Sequence, residues 1–142
     1  MAHRMILNET AYFGEEAVKS LTVELKNRNL ERVLLVTDSD LVRNKVTTKV
    51  TKLLATARII YQIYDKVQPN PTIRNVKEAA EVARQFRADV VVAVGGGSVI
   101  DTAKAISILL ANPDVTDLRK LEGMSNTKNK GLPLIAITTT SG

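Results

Sequence analysis

The sequence predicts an α/β fold, a mainly parallel sheet with helices on both faces. Three observations carry that prediction. Short β-branched runs recur along the 142 residues, and helix-period segments fill the gaps between them. One run, DVVVAV at 89–94, is apolar throughout, as a strand covered on both faces must be. Strands that alternate with helices need crossover connections, and these impose parallel pairing with right-handed crossovers.

The elements follow in order. RMIL at 4–7 is read as an early strand near a sheet edge. Val18, Leu21 and Leu25 then recur at i, i+3, i+7, the spacing of a helix face. RVLLVT at 32–37 is a strand that runs into Asp38. Val42, Val46, Val50 and Leu53 read as one helix. RIIYQIY at 58–64 is β-branched and aromatic, hence a strand. Val76, Ala80 and Ala83 mark the next helix, DVVVAV the next strand, and Val99, Ala103, Ile106 and Leu110 the helix after it. Residues 112–131 are polar and turn-rich, a long loop of the kind that is often functional. LPLIAIT at 132–138 is the last strand.

Size and composition narrow the function. One domain accounts for the length, and 44% hydrophobic with 25% charged residues is a globular balance. The net charge of +5 is spread evenly: 11 basic and 8 acidic residues up to Pro71, 9 and 7 from Thr72 onward. Nucleic-acid binders concentrate basic charge on a face or arm, and aromatics for base stacking are only 4%, so no nucleic-acid partner is expected. No apolar run approaches the roughly 20 residues of a membrane span, and the N-terminus has no signal-peptide core. The absence of cysteine removes thiol and Cys-zinc chemistry and suits a cytoplasmic protein. The single histidine, His3, reads as a solvated residue.

Ligands of open parallel sheets bind outside the carboxyl ends of the strands. Here those ends carry Asp38, the stretch 65–71, Gly95-Gly96-Gly97-Ser98, and Thr138-Thr139-Thr140. All four should lie on one rim. The glycines follow a buried strand and open a helix, where free N–H groups and the helix dipole favour a phosphate. Ser98 adds a hydroxyl. The strict dinucleotide fingerprint is not met, because Ile100 stands where a third spaced glycine belongs. A plain tight turn is the other reading, with Ser98 and Asp101 as an S-x-x-D capping pair.

Asp38 has two readings as well. It can accept the hydroxyls of an adenine ribose and repel a 2′-phosphate, or it can cap the helix that follows. Asn70 sits between two prolines that stiffen the chain and fix its direction, unless the loop merely leads to Thr72 as an N-cap. Thr138, Thr139 and Thr140 either line a polar site or serve as β-formers. Asp101 and Lys104, three apart, are read as an ordinary surface pair. No catalytic constellation accompanies the rim, which therefore reads as a nucleotide site without a chemical engine.

GGGSVIDTAK at 95–104 resembles the iron-dependent (group III) alcohol dehydrogenase family, matching every fixed position of its GGGSxxDxAK pattern. LLVTD ending at Asp38, PNPT at 69–72 and PLIAITTTSG at 133–142 are similar to family stretches in the same order. RMILNETAYFG, IYD, PNPTI, ISILLANPD and LRKLEG resemble the lactaldehyde-reducing members. The resemblance implies that residues 1–142 are a Rossmann-like dinucleotide-binding domain, the N-terminal part of a longer two-domain enzyme. The family's all-helical second domain, with one aspartate and three histidines for Fe2+, is absent from these residues. The implied reaction is hydride transfer between NAD(H) and a small alcohol or aldehyde, interconverting lactaldehyde and propane-1,2-diol, in a homodimer joined through the N-terminal strand region. These residues alone would then be inactive.

Residue by residue, the resemblance assigns Asp38 to the adenine ribose and Gly97 and Ser98 to the pyrophosphate, with Gly95 and Gly96 shaping the turn. It places Asn70 near the nicotinamide half, Thr139 and Thr140 along the cleft, and Asp101 within the binding stretch. Thr138 departs from the proline of many relatives. Two alternatives stand beside it: a free-standing non-catalytic nucleotide-binding module, and the N-terminal domain of a related glycerol-type dehydrogenase.

Overall fold

The computed structural model describes residues 3–5, 8–12, 15–112 and 132–139. Among these, six strands form one sheet: β1 (His3–Met5), β2 (Asn8–Tyr12), β3 (Arg32–Val36), β4 (Ile60–Tyr64), β5 (Val90–Gly95) and β6 (Leu134–Thr138). The helices are α1 (Glu15–Asn27), α2 (Ser39–Arg43), α3 (Thr48–Thr56), α4 (Ile73–Phe86) and α5 (Gly97–Ala111). The spatial order is β1-β2-β6-β5-β3-β4. β1 is antiparallel to β2, and every other pairing is parallel.

The strand period of two divides the core. Leu34, Val36, Val91, Ala93, Leu134 and Ala136 face one side of the sheet, where α4 and α5 pack. Val33, Leu35, Val90, Val92, Val94, Ile135 and Ile137 face the other, under α1 and α3. β5 is buried along its whole length, which explains its unbroken apolar run. On α4, Val76, Ala79, Ala80 and Ala83 form a stripe of small side chains that lets the helix lie close to the sheet. Thr72 starts that helix with a capping box: its hydroxyl accepts from Asn75 N–H at 3.1 Å, and Asn75 Oδ1 accepts from Thr72 N–H at 3.0 Å.

Two expectations need correction. The helix read over positions 42–53 is two helices. Lys45 adopts φ 63°, and Val46 N–H bonds back to the Leu41 carbonyl, which closes α2 and restarts the chain as α3 with Leu54 rather than Leu53 in the core. The N-terminal region contributes two strands. β2 lies beside β6, and the short β1 forms the edge. The predicted loop at 112–131 lies, apart from Asn112, outside the described residues.

The connections open a crevice. From β3 the chain leaves over the α3 face toward β4, whereas from β5 it leaves over the α5 face toward β6. β3 and β5 are direct neighbours, so their carboxyl ends diverge at a topological switch point. Asp38 stands on one side of it and Gly95-Gly96-Gly97 on the other.

Candidate functional site

The four strand ends are tied together. Thr37, fully buried, donates its hydroxyl to the Val94 carbonyl at 2.8 Å and its N–H to the Tyr64 carbonyl at 2.9 Å, fastening the end of β3 to both neighbours. Asp38 forms an isolated antiparallel bridge with Lys66. Ser98 Oγ faces the Pro69 carbonyl at 3.5 Å, bringing the proline-rich loop to the start of α5. Thr139 N–H donates to the Gly95 carbonyl at 3.1 Å. The rim expected from topology is therefore one continuous hydrogen-bonded edge. Thr37, its central fastener, was not singled out in the sequence. A threonine between a β-branched run and a rim aspartate is the signal that marks it.

The three glycines differ in what demands them. Gly95 has φ +155°, and a Cβ there would stand 2.7 Å from Val99 Cγ2, so strand–helix packing alone excludes a side chain. Gly96 and Gly97 are exposed, and a Cβ on either would meet nothing within 4 Å among the described residues. Among the described residues no contact requires glycine at these two positions. They leave bare backbone at the mouth of the crevice, as close approach by a ligand needs.

Gly96 is the N-cap of α5 and supplies no side-chain cap bond. The S-x-x-D capping pair is thus not formed. Ser98 lies inside the first turn, with its hydroxyl toward Pro69. Ile100 N–H closes the first helical bond to Gly96. The N–H groups of Gly97, Ser98 and Val99 have no intrahelical acceptor and point to the crevice with the positive end of the helix dipole. Asp101 is exposed on α5, and among the described residues no ion pair joins it to Lys104.

Asp38 does cap α2: Oδ1 accepts from Leu41 N–H at 2.8 Å. The carboxylate is half-buried and thereby held in one orientation, with lone pairs left for a second partner. Asn70 is exposed beside Pro69, and Thr72 takes the capping role expected of it. Thr139 is half-buried at the end of β6, and Thr140 lies outside the described residues. At the outer end of the rim, burial and then the carboxylates of Glu78 and Asp65 push the Tyr64 phenol above its ordinary value.

The donor set suits a dinucleotide: a glycine cradle with free N–H groups for the pyrophosphate, and a fixed carboxylate one strand away for a ribose. It does not suit a metal. Among the described residues no three His, Cys, Asp or Glu side chains cluster to hold one. No helix among them is long and apolar enough to cross a membrane.

Comparison with known proteins shows the family and the fold. The family model described as iron-containing alcohol dehydrogenase matches residues 8–142. Lactaldehyde reductase of Escherichia coli K12 is 50% identical over 142 residues, all of this chain and 37% of that protein. An alcohol dehydrogenase structure from Oenococcus oeni superposes with a TM-score of 0.81 at 33% identity, covering 96% of this chain and 35% of the other. A 1,3-propanediol oxidoreductase structure superposes with a TM-score of 0.80 at 31% identity, covering 100% and 36%. The chain spans about a third of the length of these relatives.

Proposed function

The chain belongs to the iron-containing alcohol dehydrogenase family, and on that premise we propose that it is the dinucleotide-binding domain of an NAD(H)-dependent alcohol dehydrogenase. The observation that carries the reading is the pair of exposed glycines, Gly96 and Gly97, which no contact among the described residues requires. The half identity to a lactaldehyde reductase supports lactaldehyde and propane-1,2-diol as the substrate pair of the whole enzyme.

In this reading Gly96, Gly97 and Ser98 receive the pyrophosphate through backbone N–H groups, the Ser98 hydroxyl and the α5 dipole. Asp38, oriented by Leu41 N–H, accepts from the adenine ribose hydroxyls and disfavours a 2′-phosphate. Asn70, on its proline-stiffened loop beside Ser98, borders the nicotinamide half. Thr139 lines the opposite wall, Asp101 lies behind the cradle on α5, and Thr140, the next residue assigned to the cleft, lies outside the described residues. When bound, the nicotinamide supplies hydride transfer to or from the substrate carbon. The chain's own residues bind and orient that group. The iron of the family is assigned to residues other than those described.

Binding is measured by calorimetric titration of the protein with NAD+. The reading expects saturable binding that is weakened by Gly97→Ala; no binding, or binding indifferent to that substitution, refutes it. We extend the reading to a cytoplasmic homodimer. β1, a short antiparallel strand at the sheet edge, offers unpaired backbone groups for such contact. A monodisperse monomer in light scattering at high protein concentration contradicts the dimer.

A further inference from the structure

The ribose end of the rim carries a second charge. Asp38 and Lys66 are partners in the isolated antiparallel bridge. Directly opposed residues of such a ladder place their side chains on the same face, with Cβ atoms about 4.5–5.5 Å apart. The Asp38 carboxylate is pinned by its bond to Leu41 N–H, while Lys66 is exposed on a flexible stem. Among the described residues no carboxylate pairs with Lys66 within salt-bridge distance. It borders a cavity of about 300 Å³ with Tyr64, Glu78 and Glu81. Glu81 is already engaged by Arg84 and Gln85, and Asp65 is the chain neighbour of Lys66.

We propose that Lys66 is a specificity-determining residue that opposes Asp38 in the choice between NAD and NADP, within the dinucleotide pose proposed above. A ribose hydrogen-bonded to Asp38 puts its 2′ substituent beside the bridge. NAD presents a hydroxyl there and gains little from an ammonium. NADP presents a phosphate, which Asp38 repels and Lys66 attracts. An ammonium on a long stem acts as a mobile point charge and needs no fixed geometry to reach it. At this range, within a Debye length of about 8 Å at physiological ionic strength, the attraction is only partly screened. Selectivity at this site is then the difference between two opposed charges, and NADP is rejected less strongly than Asp38 alone would dictate.

The test titrates NAD+ and NADP+ into the wild-type protein, Lys66→Ala, Asp38→Asn and the double variant, at low and high ionic strength, with thermal unfolding as the control for folding. Lys66→Ala should lower NADP+ affinity relative to NAD+ by roughly five- to tenfold, the size expected of one exposed ammonium acting on a dianion in high dielectric. The effect should be largest in the Asp38→Asn background and shrink with added salt, and Lys66→Arg should preserve the wild-type ratio. An NADP+/NAD+ ratio unmoved by Lys66→Ala in both backgrounds overturns the proposal. If Asp38→Asn also leaves the ratio unchanged and Gly97→Ala leaves NAD+ binding intact, the dinucleotide pose itself is wrong.

Discussion

Substituting each rim glycine by alanine separates packing from ligand binding. At Gly95 the new Cβ would stand 2.7 Å from Val99 Cγ2 and 2.9 Å from Val99 Cβ, on a backbone with φ +155°. A non-glycine residue in such a sparsely populated region costs about 1–3 kcal/mol. Forcing a methyl into close packing adds about 1–3 kcal/mol. Together, about 2–6 kcal/mol is lost from a domain whose total stability is of the order of 5–15 kcal/mol. With a urea dependence of about 2 kcal/mol per molar, the unfolding midpoint should fall by about 1–3 M. Gly97→Ala meets no neighbour within 4 Å and lies in the first turn of α5. Its stability should be unchanged or raised by up to about 1 kcal/mol, since alanine favours a helix over glycine. Its NAD+ affinity should nevertheless fall at least about tenfold, or about 1.4 kcal/mol, because the methyl occupies the cradle. Urea unfolding and calorimetric titration of the two variants make the comparison. A Gly95→Ala protein as stable as wild type would show that Val99 moves aside, and a Gly97→Ala protein that binds NAD+ normally would remove the cradle.

Three further outcomes are expected. Asp38→Asn keeps an N-capping oxygen on α2, so stability should change by less than about 0.5 kcal/mol while the preference for NAD+ narrows; Asp38→Ala should narrow it too but also cost about 1 kcal/mol in urea unfolding. Among the described residues the Thr102 hydroxyl is buried without a hydrogen-bond partner. Thr102→Val should therefore raise stability by about 1 kcal/mol, and a loss of stability would show that the hydroxyl is satisfied. Arg87 ends α4 at φ 61°, ψ 45°, a left-handed conformation natural to glycine. Arg87→Gly should raise the thermal midpoint, the gain corresponding to about 0.5–1 kcal/mol, and a lower midpoint would show that the side chain contributes more than its strain costs.

The sheet interior was legible because its chemistry is local. Uncharged β-branched runs such as VVVAV can be little else than strands buried on both faces. β2 was not, since NETAY carries no such signature and owes its strand to pairing with β6, more than 120 residues away. The helix ends were obscured for a different reason. α1, α2, α3 and α4 are followed or ended by left-handed residues, namely Asn29, Lys45, Arg58 and Arg87, where the usual sequence mark would be glycine. Without that mark, the valines at 42, 46 and 50 continued a helical spacing straight through the turn at Lys45. At the site, the rim itself followed from topology, but the capping role of Ser98 did not survive. α5 begins two residues earlier than an S-x-x-D cap requires, with Gly96 as its N-cap. Lys66 was invisible because its nearness to Asp38 exists only across two strand ends.

Structural and binding roles compete at some rim positions and coincide at others. Asp38 was read either as a cap or as a ribose acceptor, yet the cap bond uses one oxygen and fixes the other, so the first role prepares the second. Ser98 and Thr139 likewise hold neighbouring strand ends while remaining on the rim. A substitution at any of these residues changes the scaffold and the site together, and loss of binding alone does not prove contact with a ligand. Gly96 and Gly97 are different, because among the described residues no atom approaches the space a side chain would take. At Gly97, inside the helix, glycine is a cost to the fold of up to about 1 kcal/mol, with no structural return among the described residues; at Gly96, the N-cap, glycine carries no such cost. In the proposed reading a dinucleotide that needs the bare backbone supplies the return, which is why these glycines, rather than the more heavily bonded Asp38, carry the proposal.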